Sequence, residues 1–410
     1  MPPSSRLLTR RQWLGHATCA GVAGGMMLRG TAKDGVVEIP PQTMPAYLES
    51  YRDPAFGSRV TRITGEPGSR IRNVGGKWAE VARHRYSKIP AWNADQSLLL
   101  LGRHDGLPGG LFLDGSTYEP LFGQARSPGT EETWHPKKPE VMFFTKDDLL
   151  GEWQVRTDAI KILATFPGYS GLHFGPWEGN FSRDGGRVVL TGKCKKSPVA
   201  FAYDLASGKK WPDIWLKGTE VDWVSISPSG RYVVLNGAVS SKRGDQTQVY
   251  DLEGSKIGPL WEEYGRPSHY DMSFDSEGEE VAVGVSKSKP DDGRVISRRL
   301  RDGRVTVLTS GGYASHASAR NVGLPGWAFV TYQHSGPDWE PYWNEVVMVK
   351  LDGSQKVRRI AQLRTELTDY LTESHAVPSP DGRRVLWCSN WGAASGRPIA
   401  SFVAEVPPLD

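Results

Sequence analysis

Three stretches in the second half of the chain set an imidazole among polar neighbours: Ser268-His269-Tyr270-Asp271, Ser315-His316-Ala317-Ser318-Ala319-Arg320 and Glu373-Ser374-His375. Carboxylates stand two residues from two of the histidines, Asp271 after His269 and Glu373 before His375. On an extended strand, residues two apart share a face. Imidazole nitrogen and carboxylate oxygen together suit a divalent ion such as Zn²⁺ or Mn²⁺. His269, His316, His375, Glu373 and Asp271 are therefore the candidate ligands. The spacing is no local metal motif of the HExxH kind, so its force depends on the fold bringing the three stretches together. The competing expectation is that these side chains simply fill a polar channel, hydrogen-bonded to neighbouring strands.

Two earlier stretches carry a second set: Arg83-His84-Arg85-Tyr86, and Gly171-Leu172-His173-Phe174-Gly175-Pro176-Trp177-Glu178. His84, Tyr86 and His173 are candidates for proton transfer, and Arg83, Arg85 or Arg320 for holding a carboxylate. His135, beside Trp134 at a turn, reads as a surface or packing residue. Tyr313, Trp339, Tyr342 and Trp343 would suit stacking on sugar rings if exposed, and packing between elements otherwise. No nucleophile elbow, phosphate-binding glycine loop, dinucleotide fingerprint or paired-cysteine metal motif is present.

The elements that must position these groups recur. A turn followed by a short apolar strand is seen at Trp92–Leu101, Trp134–Phe144, Phe181–Leu190, Ser227–Leu235, Ser273–Val283, Asn321–Val330 and Ser379–Ser389. The intervals are roughly 43 to 56 residues, the period of a β-propeller blade. Seven units predict an all-β, seven-bladed propeller, with the inner strands and their histidines lining the central channel. The seventh unit runs out of chain after its third strand. The unpartnered strand near Arg59–Thr64 is expected to complete that blade and close the ring, which removes a bare sheet edge.

Residues 1–32 read as a targeting segment, leaving 33–410 as a single propeller domain. Thr9-Arg10-Arg11-Gln12-Trp13-Leu14-Gly15 has the form of a twin-arginine export motif; a weakly apolar run (Ala17 to Leu28) and the small residues Gly30-Thr31-Ala32 follow. This predicts a periplasmic or secreted protein with no membrane attachment after cleavage. A lipoprotein role for Cys19 is disfavoured by His16 in place of an aliphatic residue. The segment's four arginines account for the whole formal charge of +4, so the remainder is neutral and offers no electrostatic case for nucleic acid or anionic lipid as partner. Cys194 and Cys388 follow apolar runs, as buried thiols do, although one disulfide stays open as an alternative.

The patches Ser315–Tyr332 and Glu373–Gly392 resemble the bacterial oligogalacturonate-lyase-like propellers, and His84–Leu101 is similar to the propeller-type ulvan lyases. The resemblance implies a seven-bladed propeller holding a divalent metal, typically manganese, through three histidines and a glutamine, and acting by β-elimination on an acidic oligosaccharide. His269, His316 and His375 match the histidines. No glutamine stands at the expected place; Glu373 is nearest, with Asp271 as a further ligand. The implied roles are His173 as base and Arg320 as the carboxylate clamp. A non-catalytic propeller binding a glycan or a protein partner is the alternative, since propellers host many functions.

Overall fold

Turns in different blades fold alike where their Ser and Asp side chains do the same work. Ser379 Oγ donates to Asp381 Oδ1 (2.6 Å), which accepts from the Arg383 N–H (3.0 Å), while Ser379 Oγ accepts from the Arg384 N–H (3.0 Å). Gly382 completes the turn at φ +69°, where an L side chain is strained. Ser182, Asp184, Gly186 and Arg187 repeat the pattern at 2.6, 2.9 and 2.9 Å. These local bonds satisfy turn backbone that no ladder reaches.

The computed structural model describes residues 35–409, except 105, 106, 108, 177, 217–219, 239–245, 262–264 and 334–340. The expected targeting segment, Cys19, Trp177 and Trp339 lie outside the described residues. Val36–Asp410 is one compact unit. It is built almost wholly of short antiparallel strands, and among the described residues no helix is long and apolar enough to cross a membrane.

Seven blades follow in chain order. The first pairs Leu98–Leu101, Leu111–Asp114 and Pro120–Gly123, with Trp92 bridging to Leu99. Blades two to six are four-stranded and begin at the inner strands Glu131–Trp134, Tyr169–His173, Glu220–Ile226, Pro267–Phe274 and His316–Ser318. The seventh runs Val377–Pro378, Arg384–Ser389, Ala400–Glu405, then Arg59–Arg62 and Ser50–Arg52. Val60 pairs with Ala404 and Arg62 with Phe402, so both ends of the propeller chain share one sheet.

Apolar packing joins each blade to the next. Phe143 and Leu150 of blade two meet Val188 and Leu190 of blade three, while Val189 turns the other way, to Val224 and Val233 of blade four. Corresponding clusters join blades four and five (Trp223, Met272), five and six (Val283, Val330), six and seven (Phe329, Trp387), seven and one (Leu386, Leu99), and one and two (Leu100, Met142). Each second strand is buried on both faces, which is why its sequence is a continuous apolar run rather than an alternation.

One segment departs from the repeat. Arg83 to Ile89, almost entirely buried, runs across the centre of the ring. Arg85 contacts Glu132 of blade two, and Lys88 pairs with Glu178 of the loop before blade three's second strand (2.6 Å). The Lys88 ammonium lies 4.1 Å from the Trp223 ring centre and 5.8 Å from that of Tyr270, in blades four and five. The Ser87 carbonyl accepts from Ser318 Oγ of blade six (2.6 Å), and His84 Nε2 reaches the His375 carbonyl beside blade seven (2.6 Å). The segment thus touches six blades and forms a floor in the channel.

Candidate metal centre

Backbone irregularities aim the imidazoles. On Pro267–Phe274 the ladder passes from Ser268–Val285 directly to Asp271–Val283, so His269 and Tyr270 form a bulge opposite Gly284. Any Cβ at Gly284 would come within 2.6 Å of Tyr270 Cβ, so glycine is what lets the bulge pack there. His269 and His375 both sit at φ +46°, a conformation costing a non-glycine residue about 1–3 kcal/mol and found disproportionately at functional sites. The backbone around Glu373 is clamped by buried Gln333, whose Nε2 donates to the Thr372 carbonyl (2.7 Å) and whose Oε1 accepts from the Ser374 N–H (2.6 Å).

The result is a convergent donor set. Glu373 Oε2 lies 2.8 Å from His375 Nε2 and 3.6 Å from His316 Nε2. One donor atom from each of the three falls within 4.8 Å of the others. His316 and His375 are buried and Glu373 is half-buried. Tyr86 packs edge-on against both rings, with centroids at 5.3 and 4.6 Å. His269 stacks on His316 at 4.5 Å, nearly parallel, and stands beside the donor set rather than in it.

Charge state favours neutral imidazole. Burial pushes His375 well below the usual histidine range, helped by His316 and Arg83. His84 is pushed down to about 3 by burial and then by Arg83, and His269 to about 4 by burial and then by Lys287. His269 is nevertheless solvent-accessible. Its Nδ1 faces the Ser315 carbonyl at 2.7 Å, which places the ring proton on Nδ1 and the lone pair on Nε2.

Two imidazoles and a carboxylate converging on one point fit a divalent transition ion. One contact must be exchanged for it. Arg83 Nη2 lies 2.8 Å from His375 Nδ1. A guanidinium only donates, so His375 carries its proton on Nε2, where it donates to Glu373. A ligating histidine instead keeps that proton on the far nitrogen, facing an acceptor. Arg83 therefore opposes the ligating tautomer of His375.

The remaining expected residues lie elsewhere. Asp271 accepts from the Met272 and Ala319 N–H groups and from two nitrogens of Arg320 (2.6 to 2.8 Å), so these two residues are engaged with one another. With Asn180 and Arg183 they line a separate small pocket. The bulge breaks the two-residue alternation that would have put Asp271 on the face of His269. His173 stands 3.8 Å from Glu131 on another wall. His135 stacks on Phe143 at 4.6 Å. Tyr342 is buried against Tyr332, whereas Tyr313 lies under the Lys287 ammonium. Cys194 and Cys388 are free thiols.

Among solved structures, an oligogalacturonate lyase in complex with manganese superposes with a TM-score of 0.62 at 16% identity, over 89% of this chain and 97% of that one. An oligogalacturonate lyase from Vibrio parahaemolyticus gives 0.57 at 13%, over 88% and 96%. The chain has the fold of the oligogalacturonate lyases. No family model matches the sequence, and no curated protein does. At these identities the likeness to the oligogalacturonate lyases establishes architecture, and any chemistry has to be argued from the site.

Proposed function

We propose that this protein is an exported polysaccharide lyase that cleaves uronic-acid-containing oligosaccharides by β-elimination. The convergence of His316, Glu373 and His375 on a propeller shared with oligogalacturonate lyases carries the reading. These three residues hold a divalent ion, Mn²⁺ or Zn²⁺. Bound there, the ion supplies Lewis-acid neutralisation of the uronate carboxylate, which makes the neighbouring C–H acidic.

His269 is the base. It is neutral, accessible, and has its lone pair on Nε2. It takes the proton beside the carboxylate; the electron pair forms the carbon–carbon double bond as the glycosidic C–O bond breaks. Tyr86, packed against His316 and His375, protonates the leaving oxygen. We prefer these assignments to His173, 3.8 Å from Glu131, and Arg320, ion-paired with Asp271. Export rests on the twin-arginine form of Thr9–Gly15 and the apolar run after it.

The test is to incubate metal-loaded protein with galacturonate oligomers and follow the ultraviolet absorbance of the conjugated product. Absorbance that rises with wild type and not with His269→Ala supports the reading. Bound metal with no product from any uronate oligomer would overturn it. The Arg83–His375–Glu373 hydrogen-bond chain, which sets His375 in the tautomer that does not ligate through Nε2, favours a second reading, a propeller that binds glycan without turnover.

A further inference from the structure

On the far side of the floor from the donor set lies the small pocket that holds Asp271 and Arg320, which the elimination chemistry does not use. Its walls come from the turns and inner strands of four blades, with Phe181 and Arg183 from blade three, Ile226 from blade four, Met272 from blade five and Val322 from blade six. Ser318 Oγ donates to the floor's Ser87 carbonyl (2.6 Å), with His316 before it in the chain and Arg320 after it. An extended chain advances about 3.3 Å per residue, so His316 and Arg320 fall on opposite sides of that contact. Asn180, also in the wall, ties the pocket to the floor by donating from Nδ2 to the Lys88 carbonyl (3.1 Å).

The ionic groups of the pocket are unequally satisfied. Asp271 is filled by two backbone N–H groups and by Arg320. Arg183 is half-buried and, among the described residues, makes no side-chain hydrogen bond or ion pair; its Nε is shut off from solvent without a partner. Its guanidinium carbon lies 4.6 Å from the Phe274 ring centre, a contact that supports the side chain and gives its N–H groups no oxygen. Glu280, whose charge reaches Arg183, is already bonded to the Ser229 N–H and Oγ (both 2.7 Å) and to Arg231 (3.3 Å). Burial, and then Arg320, push the Arg183 guanidinium below its usual range, yet an arginine stays charged. Two guanidinium groups and one carboxylate leave the pocket a net charge of +1 against largely apolar walls. A dianion such as sulfate would exceed that charge and lose its hydration against those walls. From this juxtaposition we infer that the pocket binds a small aliphatic carboxylate, its oxygens on the Arg183 fork and its hydrocarbon part against Phe181, Ile226, Met272 and Val322. The site goes beyond the lyase reading and does not depend on it.

Saturation-transfer NMR of the full chain with isobutyrate tests this, with isobutyramide as the neutral isostere and inorganic phosphate as competitor. Wild type is expected to bind isobutyrate saturably and equally in zinc-loaded and metal-stripped protein, to give no saturable isobutyramide signal, and to keep isobutyrate against equimolar phosphate. Arg183→Gln is expected to weaken isobutyrate binding about tenfold or more with circular dichroism unchanged. Arg183→Lys, which keeps the charge without the fork, is expected to fall between, and decides the question if Arg183→Gln does not fold. Undiminished binding by the folded variants, binding lost with the metal, or isobutyramide bound as well as isobutyrate would overturn the site. So would wild type without saturable binding. Displacement by equimolar phosphate would overturn the carboxylate assignment.

Discussion

Asp271→Asn separates a ligand from a structural brace. Asp271 is 1% exposed and accepts four hydrogen bonds at 2.6 to 2.8 Å, two from backbone N–H groups and two from Arg320, itself 11% exposed at the side chain. Asparagine keeps one accepting oxygen and loses the charge, leaving a buried guanidinium without its counter-ion. Breaking such a pair costs about 3–5 kcal/mol, a large part of a total stability on the order of 5–15 kcal/mol. Urea denaturation should show the midpoint falling sharply, while manganese affinity, titrated at a temperature where the variant is folded, stays within about twofold of wild type, well short of the roughly 10–100-fold expected when a metal site's supporting shell is disturbed. A variant that loses the ion while losing less than about 1 kcal/mol of stability would refute the reasoning and return Asp271 to the ligands.

Arg83→Gln offers His375 Nδ1 an accepting amide oxygen in place of a donor, so the ion-ready tautomer is favoured; metal affinity measured by competition with a chelator should rise about tenfold or more. His135 is pushed down to about 4 by burial and then by Lys138, so its neutral form favours the folded state. That contribution is complete above the unfolded value near 6.5 and is lost as pH falls toward about 4. The stability difference between wild type and His135→Asn, read by denaturation across this window, should shrink in that direction. Val60→Asp would bury a carboxylate where the N-terminal strand meets Ala404, and should lower the thermal midpoint by an amount equivalent to about 3 kcal/mol or more.

The blades were legible because most units carry two independent signals, a turn rich in Ser, Asp or Gly and an apolar run buried on both faces. Val188, Val189 and Leu190 read as a strand without knowledge of which neighbour each one touches. Glu373 and His375 were legible as a pair because their separation of two survives in the structure. His269 and Asp271 have the same separation and part company, because a bulge opposite Gly284 lies between them and leaves no local mark beyond that glycine. Gln333 clamps Glu373 from another blade, and Arg83 to Lys88 floor the channel through contacts with six blades. Those roles depend on long-range closure of the ring, and no spacing along the chain encodes them.

The central claim is that His316, Glu373 and His375 together hold a divalent ion. Metal-stripped protein titrated with Mn²⁺ in a calorimeter, alongside His316→Ala and Glu373→Ala, addresses it most directly. One ion per chain is expected in wild type, with loss of that binding in both variants and their circular dichroism unchanged. No binding by wild type, or undiminished binding by folded His316→Ala, would contradict it.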